Sequence, residues 1–236
     1  STFKIIPYAA ILLEGAELYD VYEDSPQCWN DYCPRNFADR YRNKISLIEA
    51  FKTSSNIVPI QISQELGLDK IINLANKFGL GSQQKLEKYL PIAIGAVGDN
   101  LLNITNTYSI INNNGVSIKP SIISQIENQD SRVIWSNNIK GVRIIDDKIV
   151  RKLNQMLEKS VSEGNGIAAS IEKEKILGKT GTSDKNRDLW FIGSIKDTTT
   201  GIWIGYDDNR VTQLSSGNAA NLWKVYIKKI IDKNKN

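Results

Sequence analysis

The last third of the chain limits the fold most. Between residues 174 and 208, three strand-like runs, EKILGKTGT, DLWFIGSI and TGIWIGYDD, follow one another across short polar joints. β-Branched and aromatic residues broken by brief turns predict an antiparallel meander. NLWKVYIKKIIDK then predicts an amphipathic helix whose outer face is rich in lysine and whose apolar face needs a sheet to cover. Upstream, most of the chain reads as helix. The arrangement that buries all these faces is α+β, with a helical cluster packed on an antiparallel sheet. Three core strands make a thin sheet for 236 residues.

The helical part is legible segment by segment. Residues 1 to about 14 predict a helix apolar on most sides, ended by Gly15. Residues 16–45 are polar, aromatic and rich in Asp and Asn, and read as a long surface excursion. ISLIEAFKTSSN predicts a short helix broken at Ser54–Asn56. IVPIQISQELG and LDKIINLANKFG predict helices closed by Gly67 and Gly79 in left-handed C-caps. LPIAIGAVGDN is apolar and punctuated by glycine, and LLNITNTYSIINNNG predicts a further helix. KPSIISQIENQDSRVIWSN alternates around an acidic turn, a hairpin pattern, and a long helix is expected from about Asp146 to Ser162.

Composition narrows the chemistry. There is no histidine, so neither a Ser-His-Asp triad nor a Cys-His pair can be built, and histidine-ligated metal sites are excluded. Two cysteines alone cannot make a structural zinc site, and no metal or cofactor is expected. Any activated nucleophile must use lysine, a carboxylate or tyrosine as its base. The net charge of +4 is mild and interleaved, with no arginine-rich stripe, so nucleic acid is not an expected partner. Cys28 and Cys33 are too far apart for a C-x-x-C redox motif; they could close a small loop in an oxidising compartment or remain free thiols.

Three short patterns carry chemistry. Ser1 and Lys4 stand one turn apart at the head of the first apolar helix, where they can face each other. A serine there is ordinarily a cap and a lysine a solvated group. Burial would instead lower the lysine pKa and let it take the serine proton. The same spacing recurs at Ser82/Lys85 and Ser170/Lys173, in polar segments where nothing would desolvate the lysine. Ser-x-Asn occurs at Ser54/Asn56, Ser136/Asn138 and Ser216/Asn218. The first breaks a helix where side chains could point into a cleft, although a helix-end turn would explain it as well. GKTGT at 178–182 is far more specific. Gly181 leaves a strand edge bare for a ligand backbone, Lys179 sets a cation beside it, and Thr180 and Thr182 offer hydroxyls to a carboxylate. A hairpin edge with a solubilising lysine is the plain alternative.

Ser-x-x-Lys, Ser-x-Asn and Lys-Thr-Gly in this order resemble the three motifs of penicillin-recognising serine enzymes. The likeness extends through FKTSSNIVPIQISQELGLDKIINLANKFGLG, LPIAIGAVGDNLLNITNTYSIINNNG and GKTGTSDKNRDLWFIGS to TGIWIGYDDN. Along nearly the whole chain it is similar to the transpeptidase domain of class A penicillin-binding proteins. The resemblance implies that residues 1–236 are a partial domain beginning at the Ser-x-x-Lys helix, with sheet strands, a glycosyltransferase domain and a membrane anchor expected ahead of it in the parent protein. A free amine at Ser1 would replace the amide N–H of the oxyanion hole, so an isolated piece is expected to be inert.

What the resemblance implies about activity is a DD-transpeptidase on the outer face of the bacterial inner membrane, cross-linking peptidoglycan stem peptides and acylated by β-lactams. Ser1 would be the nucleophile and Lys4 its base, Ser54 a proton relay to the departing D-Ala, and Lys179 the cation that depresses the Lys4 pKa. Asn56 would hold the substrate amide, Gly181 the open strand edge, and Thr180 and Thr182 the terminal carboxylate. Asn186, Arg187 and Asp188 would hold the strand connection, and Gly164 and Gly166 a turn before the Lys-Thr-Gly strand. The alternatives are a DD-carboxypeptidase or β-lactamase-type hydrolase with the same acylation step, and a non-catalytic peptide- or β-lactam-binding module.

Overall fold

A computed structural model describes residues 1–82 and 84–233. A 3₁₀ turn, Thr2–Lys4, runs into α1 (Ile5–Leu13). The polar segment after it is more than a surface excursion: β1 (Val21–Asp24) pairs antiparallel with β2 (Asn43–Ser46), Val21 opposite Ser46. This hairpin has no period-2 apolar signal, because only Asp24 and Ile45 of its eight positions are buried. Cys28 and Cys33 in the loop between the strands form a disulfide.

Next come α2 (Leu47–Lys52), α3 (Ile57–Leu66) and α4 (Leu68–Lys77). Gly79 has φ 86° and Gly67 φ 83°, both in the range that favours glycine. Gly67 differs from the expected cap in its extended ψ of 139°, since it must also start α4 at the next residue. A 3₁₀ turn at Leu90–Ile94 precedes α5 (Leu101–Asn112), which Asn100 caps by accepting the Asn103 N–H. β3 (Val116–Ser117) pairs with β6 (Val142–Arg143) as the neck of the expected hairpin, β4 (Gln125–Glu127) with β5 (Val133–Ser136). α6 (Asp147–Ser162) follows.

The meander forms as its pattern predicts. β7 (Leu177–Thr182), β8 (Leu189–Ile195) and β9 (Thr198–Ile204) make an antiparallel sheet in chain order, and α7 (Ser216–Lys233) lies on one face. Strand alternation divides β8. Leu189, Phe191 and Ile195 join Trp223 of α7 in one apolar cluster, with Phe191 and Trp223 edge to face at 5.4 Å. Ile192 points the other way, into the larger cluster built around α1, α5 and α6. α1 contributes eight buried residues out of nine, and so lies at the centre of the helical layer. The sheet thus separates two apolar cores, and β7 forms its edge beside the turn that starts at Ser1.

Candidate active site

The two bland explanations for Ser1 and Lys4 both fail. Ser1 precedes the first turn without a side-chain capping bond, and Lys4 is 1% exposed. Phe3 and the head of α1 are buried around it, so the ammonium group is carried into the protein by the helix it precedes. The other two copies of the spacing differ as expected, with Lys85 and Lys173 exposed.

Lys4 Nζ donates to Ser54 O at 2.8 Å, Ser54 Oγ at 3.3 Å and Asn56 Oδ1 at 2.5 Å. The Ser-x-Asn stretch is a turn between α2 and α3, as its residue types favour, and Ser55 Oγ caps α3 by accepting the N–H groups of Ile57 and Val58. Ser54 holds φ at 59°, a left-handed backbone that is uncommon for serine. That conformation turns its hydroxyl and the Asn56 amide toward the lysine.

β7 delivers the second lysine. Lys179, with no exposed surface, donates to Ser54 Oγ at 2.9 Å and to Thr180 O at 3.2 Å. Its ammonium lies 5.6 Å from the centre of the Phe51 ring, a cation–π contact inside the core. One hydroxyl therefore bridges two buried lysines that come from chain segments far apart in sequence. At Gly181 an added Cβ would stand 3.0 Å from Thr2 Cγ2, so the missing side chain lets the strand edge approach the residue next to Ser1.

Burial is the main reason both ammonium groups lose their protons easily. It brings Lys179 down to about 7 and holds Lys4 well below its ordinary value. The positive charge of Lys179 lowers Lys4 further, and the carboxylate of Asp24 opposes the shift. The arrangement thus supplies an amine able to accept a proton near neutral pH, next to a hydroxyl that can pass one on.

The structure brings Lys4, Ser54, Asn56 and Lys179 into one hydrogen-bonded cluster and sets Ser1 and Gly181 at its edge. The hydroxyls of Thr180 and Thr182 are not in that cluster among the described residues. Their register opposite Phe191 and Leu189 places them on the α7 side of the sheet, with Thr180 4% exposed and Thr182 open at the strand end. Downstream, Asp188 accepts from Ser183 Oγ at 2.7 Å and from Trp203 Nε1 at 3.0 Å, and so ties β7, β8 and β9 together. Gly164 and Gly166 form a turn packed on Lys52 and Ser160, with Asn165 donating to Thr53 O at 3.1 Å. Sequence reasoning missed Asp24, Asn36 and Ser55, which lie buried behind the Ser54 turn. Nothing in their local sequence marks them, because the contacts that tie them to one another and to Asn56 span 12 to 31 residues.

A family model described as the penicillin binding protein transpeptidase domain matches residues 1–222. Penicillin-binding protein 1A of Rickettsia prowazekii is 26% identical over 88% of this chain and 30% of its own length. The Aquifex aeolicus protein of the same name is 28% identical over 88% of this chain and 29% of its own. The chain therefore spans well under half the length of these curated relatives. Among solved structures, penicillin-binding protein 1A from Haemophilus influenzae matches with a TM-score of 0.85 at 25% identity, over 98% of this chain and 42% of that one. Penicillin-binding protein A from M. tuberculosis, solved as an imipenem acyl-enzyme complex, shares the fold with a TM-score of 0.82 at 21% identity, over 97% of this chain and 59% of that one. With a family match over nearly its full length and an α+β architecture shared with solved members, this chain belongs to the penicillin-binding protein transpeptidase domain family.

Proposed function

We propose that this chain is the catalytic part of a DD-transpeptidase that cross-links peptidoglycan stem peptides ending in D-Ala-D-Ala and is acylated by β-lactams. The observation that carries this reading is the pair of buried lysines meeting on the Ser54 hydroxyl beside Ser1. Neutral Lys4 takes the Ser1 Oγ proton as the oxygen attacks the carbonyl of the penultimate D-Ala. The carbonyl–nitrogen bond then breaks, and the proton travels from Lys4 through Ser54 to the leaving D-Ala amine. An acceptor amine from a second stem peptide attacks the acyl-serine, loses its proton by the reverse path and restores Ser1.

In this reading the donor lies along β7, where Gly181 leaves room for its backbone, and its terminal carboxylate meets Thr182, exposed at the strand end. Asn56, held by Lys4 and by Arg35 O at 2.5 Å, presents its amide to the donor peptide. The name of the curated relatives, penicillin-binding protein 1A, together with their greater length, supports a glycosyltransferase domain and a membrane anchor as partners in the parent protein. The Cys28–Cys33 disulfide supports an oxidising, extracytoplasmic location.

The test is acylation of the intact parent protein by a fluorescent penicillin, with the labelled peptide identified by mass spectrometry. Label is expected on Ser1, abolished by Ser1→Ala and retained in Ser82→Ala and Ser170→Ala. Label that survives loss of Ser1 would overturn the assignment. Release of D-Ala from a stem peptide with and without an added amine then separates transfer from hydrolysis.

A further inference from the structure

Behind the Ser54 turn lies a second buried polar cluster, separate from the lysines. Asp24, at the end of β1, has no exposed surface. Its Oδ1 accepts from Ser55 Oγ at 2.7 Å and from Asn36 Nδ2 at 2.8 Å, and its Oδ2 accepts from the Arg42 N–H at 3.1 Å. Asn36, 6% exposed, continues the chain of contacts, with Oδ1 accepting the Asn56 N–H at 2.7 Å and Nδ2 also donating to Arg40 O at 3.0 Å. Both residues that neighbour Ser54 in the motif are thereby tied to one carboxylate, Ser55 directly and Asn56 through Asn36.

We propose that Asp24 is a positioning residue for acyl transfer: its buried carboxylate fixes the Ser54–Asn56 turn through Ser55 and Asn36, and it supplies the negative charge that faces Lys4. The proposal rests on the acyl-transfer reading above. Two features favour it over a purely architectural role. A carboxylate is costly to bury, and a neutral side chain could tie β1 to the loop without that cost. Second, the turn it braces has a left-handed serine, a conformation that persists only where the surroundings impose it.

The charged and titratable groups around this cluster are few. Among the described residues, Lys4 is faced by Lys179 from β7 and by Asp24 from β1. Asp24 is also faced by Tyr8 from α1, a buried phenol whose oxygen has no hydrogen-bond partner, and Tyr8 in turn by Tyr22. Asp24 is the one group among them that favours a proton on Lys4. A base must be deprotonated to act, so acylation rises with pH through the Lys4 titration. Loss of the Asp24 charge lowers that titration and moves the acid limb to lower pH.

The experiment measures, in the intact parent protein, the second-order rate of acylation by a fluorescent penicillin across pH for wild type, Asp24→Asn, Ser55→Ala and Asn36→Ala, with thermal unfolding of each. Asp24→Asn is expected to acylate at least about tenfold more slowly at its optimum, with its acid limb at lower pH. Ser55→Ala and Asn36→Ala break the tether and keep the charge, so they slow acylation while the limb stays in place. Asp24→Asn within twofold of wild type with an unmoved limb overturns the proposal. If Asp24→Asn does not fold, wild-type rates in both tether variants overturn it equally. Ser1→Ala runs alongside: label persisting there refutes the nucleophile assignment, independently of any result at Asp24.

Discussion

Two regions of this molecule bury a lysine, and they do it in opposite ways. Lys152, on α6, is 8% exposed, and its Nζ donates to Ala16 O and to a Glu17 carboxylate oxygen, both at 2.8 Å. Glu17 is more than half exposed, so the charge pair reaches the surface, and the lysine works as a brace between α6 and the end of α1. Lys4 and Lys179 have no carboxylate in ion-pair contact among the described residues and bond to hydroxyl, amide and carbonyl oxygens. A paired lysine keeps its charge and holds structure. Two buried lysines without direct counter-ions repel each other and lose basic strength, which is useful only where protons must move.

The largest effect should come from Lys4. Lys4→Arg keeps a charge but removes a group that can deprotonate, and is expected to slow penicillin acylation by roughly 10²–10⁴-fold at every usable pH. Lys4→Met should be as inactive yet unfold close to wild type, because relief of the burial penalty on the amine offsets the loss of the donor to Ser54 O and Asn56 Oδ1. Lys4→Met that unfolds well below wild type would mean that Lys4 is a brace like Lys152, and the contrast would break.

Lys179 sharpens the contrast through pH. Its folded value of about 7 lies below the ordinary 10.5, so between these values the unfolded state holds a proton that the folded state has shed. Stability from this group therefore rises with pH from about 7 to 10.5, and below 7 the burial penalty is present in full. Lys179→Met should lose that part of the rise, read as a smaller gain in melting temperature between about pH 7 and 9. Its acylation should fall further than that of Lys179→Arg, which keeps a cation over the strand. Identical pH slopes for wild type and Lys179→Met would show that Lys179 does not titrate in this range.

The smallest effect is expected at Lys152. Lys152→Met leaves Ala16 O without its donor and should cost about 1–2 kcal/mol in denaturant unfolding, with acylation unchanged. A loss of acylation there without a loss of stability would contradict its role as a brace.

The elements and the chemistry were legible in the sequence to different degrees. α1, α6, α7 and the meander declared themselves because long periodic runs encode their own burial. Lys4 could be foreseen as buried because it sits one turn before an apolar helix. Lys152 could not, since DKIVRKLNQMLEK reads as an ordinary amphipathic surface and its partners lie 136 and 135 residues away in the chain. Asp24 was hidden for the same reason. VYEDSP looks like exposed polar chain, and only the pairing of β1 with β2 and the return of the loop to Asn36 enclose it. GKTGT named the strand and its lysine, but the register that turns Thr180 toward the α7 face depends on a partner strand.

The bridge through Ser54 has a bearing on how the protein folds. Its hydroxyl is 50 residues from Lys4 and 125 from Lys179, and Tyr108 closes the same region by donating to Thr2 O at 2.7 Å across 106 residues. Each of these contacts closes a long loop: the Lys4 and Tyr108 contacts need helices distant in sequence to have docked, and the Lys179 contact needs the sheet to have joined them. A collapsed chain with most of its helices formed would still lack the reactive cluster. Covalent capture by a penicillin therefore counts only molecules that have completed the last long-range closures, and the yield of label after refolding measures the native fraction where circular dichroism would already report success.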